Sequence, residues 1–389
     1  MPVSPASLEM VEKLVAFDTT SRNSNLELVE FVRAYLAKHG VECRLVHDAS
    51  GKKANLYATL GPADQPGIAL SGHTDVVPVD GQAWDTDPWK VTRQDGRIYG
   101  RGVSDMKSFV AIALTFVPEF MRRGLKTPIN LALSYDEEVG CLGVRRLLEV
   151  LREMPVKPWA CIIGEPTSMK VTVSHKGKKS IRCHVRGLEA HSSLAPNAVN
   201  AVEYAAEVIV KLRAMGRRFA AEGPFDNEFD VAHTTVHTGI VHGGTALNIV
   251  PKNCYFDFEF RYLPELDVEA MLAEVKDYAE RELQPAMQAI DKSCGFDWQQ
   301  ISAFPGLSTS PDSPVAQLAK SLSGSNSTIK VAYGTEAGLY QQSGIPAIIC
   351  GPGSIEQAHK PNEWVALDQL AQCENFMRRL MDRVCERPA

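Results

Sequence analysis

No CxxC pair occurs anywhere in this sequence, and its nine cysteines do not make an even framework. Cys43, Cys141, Cys161, Cys183, Cys254, Cys294, Cys350, Cys373 and Cys385 are widely spread. That spacing argues against a zinc ribbon and a disulfide scaffold, and for reduced, packed thiols in a cytosolic protein. Long apolar runs are also missing. The longest, residues 109–117, is too short to span a bilayer and ends at Pro118. Near the N-terminus, Glu9, Glu12, Lys13 and Asp18 stand where a signal peptide needs an apolar stretch. A soluble cytoplasmic protein with no membrane partner is expected. Nor is there a basic run with interleaved aromatics. With 41 basic and 47 acidic side chains the net charge is -6, which disfavours nucleic-acid binding but leaves a local cationic pocket open.

What is present is a chain of 389 residues, 44% hydrophobic and 23% charged, long enough for two soluble domains. Ser24 and Glu27 have the spacing of a capping box, followed by Leu28, Phe31, Val32, Tyr35 and Leu36 at helical intervals and a stop at Gly40. Extended segments are predicted at 41–46, 55–60, 68–71, 129–135 and 160–163, with helices over 104–121 and 142–154. Strands alternating with helices predict an α/β layer with a mostly parallel mixed sheet.

After about Gly177 the rhythm changes. Ile181, Cys183 and Val185 alternate as a half-buried strand does. A helix over 201–215, strands over 234–242 and 254–262, and a helix over 268–282 ending at Pro285 follow. In the second of those strands Phe256, Phe258, Phe260 and Tyr262 share one face. The α/β rhythm resumes with 314–322, 329–332, 345–350 and a closing helix over 368–385. A smaller α+β domain, residues 180–288, is therefore expected as an insertion in an α/β domain formed by 1–179 and 289–389.

The chemically informative residues lie where strands are expected to end. His73, in Ser71-Gly72-His73-Thr74-Asp75, follows a strongly apolar strand, and open α/β sheets place their ligands at such ends. Residues two apart on an extended chain point the same way, so Asp75 is placed to steer the His73 ring without touching metal. An ordinary polar loop is the alternative. Asp105, in Gly100-Arg101-Gly102-Val103-Ser104-Asp105-Met106-Lys107, stands where a helix begins. It either caps the helix amides or faces the cleft as a bridging carboxylate. Asp136, Glu137 and Glu138 crowd one strand end, and such acids repel unless cations or solvent compensate. Glu137 and Glu138 point differently, so one can bind metal while the other holds a water. Glu165 before Pro166, and His359 in Ala358-His359-Lys360-Pro361-Asn362-Glu363, are each unremarkable alone. Together His73, Asp105, one of the acids near 137, Glu165 and His359 offer two imidazoles and three carboxylates at one sheet edge. Mixed nitrogen and oxygen donors suit Zn2+, with Co2+ or Mn2+ as reasonable substitutes. Two ions about 3.5–4 Å apart sharing a carboxylate would form a hydrolytic pair.

The stretches 71–78, 100–107, 136–140 and 164–167, with the late His359, resemble the co-catalytic zinc amidohydrolases, which include desuccinylases, aminoacylases and glutamate carboxypeptidases. The resemblance spans essentially the whole chain. It implies a zinc-binding α/β domain interrupted by a lid or dimerisation domain, two zinc ions per subunit, and a homodimer. It assigns His73 and Glu165 to one zinc, Glu138 and His359 to the other, and Asp105 to the bridge. Asp75 then supports His73, and Glu137 is the general base toward a water held by the metals. A cis peptide after Asp105 is also implied. Ser108 departs from the family, which often has glycine there. His191, otherwise a surface-loop histidine, is implied to reach the partner's site and stabilise an oxyanion. Asn248 and Arg261 are implied to hold the substrate carboxylate, although a surface salt bridge is equally open to Arg261.

The stretches 80–84, 134–142, 175–178 and 333–338 resemble the deacetylase branch of that family more than the desuccinylase branch. They imply an acylated amino acid as substrate, N-acetyl-L-ornithine, cut to acetate and ornithine in arginine biosynthesis. Thr335 and Glu336 are the implied side-chain contacts. Glu336 suits a cationic substrate, with a solvated loop acid as its alternative. A desuccinylase, a general aminoacylase and a catalytically silent metal-binding protein are the competing readings.

Overall fold

In a computed structural model, which describes residues 2–385, four apolar strands are buried along their whole length: Ile68–His73, Ile129–Ser134, Ala160–Pro166 and Ala347–Gly351. Burial on both faces is what near-continuous apolar runs demand of a sheet. The four lie parallel in the order Ile129–Ser134, Ile68–His73, Ala160–Pro166, Ala347–Gly351. Ala54–Leu60 and Cys43–His47 extend one side antiparallel, and Val171–His175 pairs antiparallel on the other. Leu307–Ser308 and Thr328–Val331 complete nine strands. The expected α/β class with a mixed, mostly parallel sheet is borne out.

Close approach sets the end of this sheet. A Cβ on Gly351 would lie 2.0 Å from the Gly164 carbonyl oxygen, so a side chain there would push the strand that carries Glu165 away from its neighbour Ala347–Gly351.

Helix Lys107–Arg123 runs through Pro118, where the sequence suggested an end to the apolar run. Proline cannot donate to the carbonyl four residues back. The Tyr35 hydroxyl donates to that carbonyl, Leu114 O, at 3.2 Å. The expected capping box at Ser24 and Glu27 is not made. Asn25 occupies the N-cap of helix Leu26–Ala37 without a side-chain cap bond. Its amide instead donates to Ala54 O and Thr74 Oγ1, both at 2.9 Å. The Ser24 hydroxyl donates to Lys52 O at 2.5 Å. Ties to neighbouring segments outweigh the local motif.

The chain divides into two units: residues up to Ser174 with Leu307–Lys330 and the chain from Thr335 onward, and His175–Gly306 with Val331–Gly334. The second unit holds an antiparallel sheet in the order Thr235–Gly243, Asn253–Tyr262, Gly177–Arg186, Gly295–Phe304. Cys254, Phe256, Phe258, Phe260 and Tyr262 are buried, while Tyr255, Asp257, Glu259 and Arg261 are half-buried on the other face. Ala201–Glu222 and Val268–Asp277 contribute Leu212, Met215, Met271 and Val275 to the same apolar cluster as these aromatic rings. The second helix does not stop before Pro285. A π-helical stretch, Tyr278–Leu283, leads into Gln284–Ile290, with the proline in its first turn, where its missing N–H costs nothing. Strand Gly295–Phe304 had no counterpart in the sequence reading; it carries this unit to Gly306. Among the described residues no helix is long and apolar enough to cross a membrane.

Candidate metal centre

The parallel strands deliver three of the first unit's polar groups side by side. His73 ends its strand opposite Ser134, so the acids that follow Ser134 emerge next to it. Glu165 sits near the end of Ala160–Pro166. Asp105 comes from the loop before helix Lys107–Arg123 and is joined to Met106 by a cis peptide. His359 lies in the loop after Ala347–Gly351.

Asp105 does not cap the helix: Met106 holds the N-cap position and makes no side-chain cap bond. The Asp105 carboxylate turns to two imidazoles instead. Its Oδ1 is 3.0 Å from His73 Nε2 and its Oδ2 is 3.2 Å from His359 Nε2. Glu165 Oε1 is 3.6 Å from His73 Nε2, and Glu138 Oε2 is 3.0 Å from His359 Nε2. One carboxylate therefore stands between a His73–Glu165 pair and a His359–Glu138 pair. Donor atoms of His73, Asp105 and Glu138, and those of His73, Glu137 and Glu165, fall within 4.8 Å of one another.

Four acids around two imidazoles are electrostatically uncomfortable without a cation. Burial pushes the Glu138 carboxyl up to about 7, with Asp105 adding to the rise. Burial raises Glu165 and Glu137 well above the usual range, and neighbouring acids raise them further. Burial acts against ionisation of Asp105 as well, but its bonds from His359 and His73 outweigh that and hold it low. Bonds to Asp105 and Glu138 lift His359 to about 10. A donor set of two imidazole nitrogens and several buried carboxylates that resist ionising together suits a pair of divalent cations.

Asp75 is buried beside His73. His73 Nδ1 is 2.8 Å from the Asp75 backbone oxygen and 3.6 Å from the nearer side-chain oxygen. The Asp75 carboxylate accepts from the Ser21 hydroxyl at 2.7 Å and from the backbone N–H groups of Glu137 and Glu138 at 3.1 and 3.3 Å. Its main chain steers the ring, and its side chain anchors the two acids. Cys141, read from sequence only as a packed thiol, donates to Glu137 Oε1 at 3.2 Å. No spacing rule marks such a contact, because it needs Cys141 in a left-handed conformation, φ 53°.

Thr335 and Glu336 are buried, so Glu336 is not a solvated loop acid. Its carboxylate accepts from the Ser134 hydroxyl, and burial pushes it up to about 7. Thr335 Oγ1 accepts from Ala337 N at 3.1 Å. In the second unit, His191 and Asn248 are exposed and lie on two segments bonded together, Ser192 N to Asn248 O at 3.0 Å and Val250 N to Ala190 O at 2.9 Å. Arg261 Nε donates to Glu259 Oε1 at 2.9 Å.

Residues 69–383 match the model of peptidase family M20/M25/M40. The chain belongs to this family. Among curated relatives, it is 32% identical to the acetylornithine deacetylase of Myxococcus xanthus and 31% identical to that of Pasteurella multocida, in each case over 98% of both chains. An M20 metallo-carboxypeptidase from Sulfolobus solfataricus shares the fold with a TM-score of 0.76 at 18% identity, over 97% of this chain and 99% of that one. A dinuclear metal-binding M20 peptidase from Bacillus subtilis has a TM-score of 0.63 at 15% identity, over 96% of both. This M20 chain is an amide-hydrolysing enzyme, and its clustered donors are groups that could hold metal ions.

Proposed function

We propose that the protein hydrolyses N-acetyl-L-ornithine to acetate and L-ornithine, a cytoplasmic step of arginine biosynthesis, and that it works as a homodimer with two zinc ions per subunit. The observation that carries hydrolysis is the Asp105 carboxylate, with one oxygen toward His73 and the other toward His359. Likeness to acetylornithine deacetylases along 98% of both chains supports the substrate.

His73 and Glu165 would hold one ion, His359 and Glu138 the other, and Asp105 both. When bound, the ions supply Lewis acidity toward the attacking water and the amide carbonyl. Glu137 takes a proton from the water as its oxygen bonds to the acetyl carbon. It then passes that proton to the amide nitrogen as the carbon–nitrogen bond breaks. Asp75 and Cys141 hold Glu137 in place for both transfers. His191 of the partner subunit donates to the developing oxyanion. Asn248 and Arg261 meet the substrate carboxylate. Thr335 and Glu336 lie toward its side chain, where Glu336 in its ionised form favours an ammonium over a second carboxylate.

The test is a Glu137→Gln variant assayed beside the parent, with bound metal measured in both. Acetate release should fall by about a thousandfold or more with metal content unchanged. Near-parental turnover would sink the mechanism. Offering acetylornithine and succinyl-diaminopimelate side by side decides the substrate; a preference for the second would replace this reading with a desuccinylase.

A further inference from the structure

Arg101 and Glu363 form an ion pair with 1% of each side chain exposed, Nη1 to Oε2 at 2.8 Å. Removing two charges from water is costly, and a buried pair contributes little net stability. What the pair holds is more informative. Glu363 accepts three backbone N–H groups of the loop that carries Asp105: Gly102 at 3.1 Å, Ser104 at 2.8 Å and Asp105 itself at 3.1 Å. All three amides thus converge on one carboxylate.

Arg101 reaches the other way, toward the loop that carries His359. Its Nη1 lies 3.4 Å from Lys360 O, and its Nη2 donates to Gln82 Oε1. Gln82 in turn donates from Nε2 to the backbone oxygen of His359 at 2.9 Å, while Trp84 Nε1 donates to Gln82 Oε1 at 3.1 Å. Asp85 and Asn362 close a second tie, with bonds of 2.8 Å in both directions. His359 itself has φ 63°, in the left-handed region that is uncommon for any residue but glycine. Its loop therefore depends on bonds from outside for its shape.

We propose that Gln82, Arg101 and Glu363 form a clamp that sets the spacing of Asp105 and His359 before any ion arrives. The inference rests on reading these two as metal ligands. Two ligands of the first pair, His73 and Glu165, ride on strands of the central sheet and are placed by its ladder. His359 has no such support. Gln82, bonded to the His359 main chain, is thus a positioning residue for the ion shared by His359 and Glu138, while Glu363 acts through Asp105 on both ions. Outer partners of metal ligands change affinity by roughly 10–100-fold.

The experiment is calorimetric titration of the metal-free full chain with Co2+, comparing the parent with Gln82→Ala and Arg101→Met. The parent should take up two ions. In Gln82→Ala one binding step should weaken by about tenfold and the other by less than about threefold, with an unchanged melting temperature for the metal-free protein. Arg101→Met, which also removes the partner of the carboxylate that holds the Asp105 loop, should weaken that step further and the other step as well. If that variant fails to fold, Gln82→Ala alone decides. Equal weakening of both steps, or none, in folded Gln82→Ala overturns the clamp. A parent that binds fewer than two ions overturns the underlying ligand assignment instead.

Discussion

Asp75 Oδ1 accepts the backbone N–H of Glu137 at 3.1 Å. Oδ2 of the same carboxylate accepts from Glu138 N and Ser21 Oγ, so one buried side chain ties the turn bearing two site acids to the strand end bearing His73. Replacing Asp75 with alanine should leave those amides without an acceptor and let the turn drift. A loss of about tenfold or more in kcat is expected, larger than the fractional loss of bound metal, because the backbone contact to His73 Nδ1 survives. Kinetics paired with metal analysis checks this. Metal loss that fully accounts for lost activity would show that Asp75 acts through His73 alone.

The thiol of Cys141 is the second hold on Glu137. Burial pushes its pKa well above the ordinary value, so it stays protonated and donates. Cys141→Ser keeps a donor at that place, and Cys141→Ala removes it. Alanine should lower kcat by about tenfold with KM little changed, the size expected for one hydrogen bond to a charged group, and serine should recover most of it. Equal kcat in the alanine variant and the parent would remove Cys141 from the account.

Stability should carry a signature of His175. Burial pushes its pKa down to about 4, and its ring lies edge-on to Phe304 with 6.5 Å between centroids. The unfolded chain titrates this imidazole near ~6.5, where the folded protein still refuses the proton. Stability is therefore full above ~6.5 and falls as the pH drops toward the folded value, by about 3 kcal/mol in all. Denaturant unfolding at about pH 7 and about pH 4.5 should show a smaller acid loss in His175→Asn than in the parent. Identical losses in the two proteins would refute the assignment.

Much of this was legible in one dimension. A strand buried on both faces must be apolar throughout, so Ile129–Ser134 and Ala160–Pro166 announce themselves, and the polar groups at their ends follow directly. The alternation from Cys254 to Tyr262 is equally plain, because one face of that strand is buried and the other is not. Local rules failed where tertiary bonds competed with them. Ser24 and Asn25 bond to Lys52, Ala54 and Thr74 instead of forming a capping box, and a π-helical stretch lets the helix pass the point where Pro285 should end it.

The candidate site divides along the same line. Residue types and strand ends marked His73, Asp105, Glu137, Glu138, Glu165 and His359, since a hydrolytic metal pair needs those donors at such places. Only the folded chain decided which way each one faces. Whether Asp105 caps a helix or lies between two imidazoles depends on the strand order that brings His73 and His359 to it. Arg101 and Glu363 meet across 262 positions of sequence, beside the pairing of Arg97–Tyr99 with Trp364–Ala366, and no local pattern can encode a contact that such distant pairing creates.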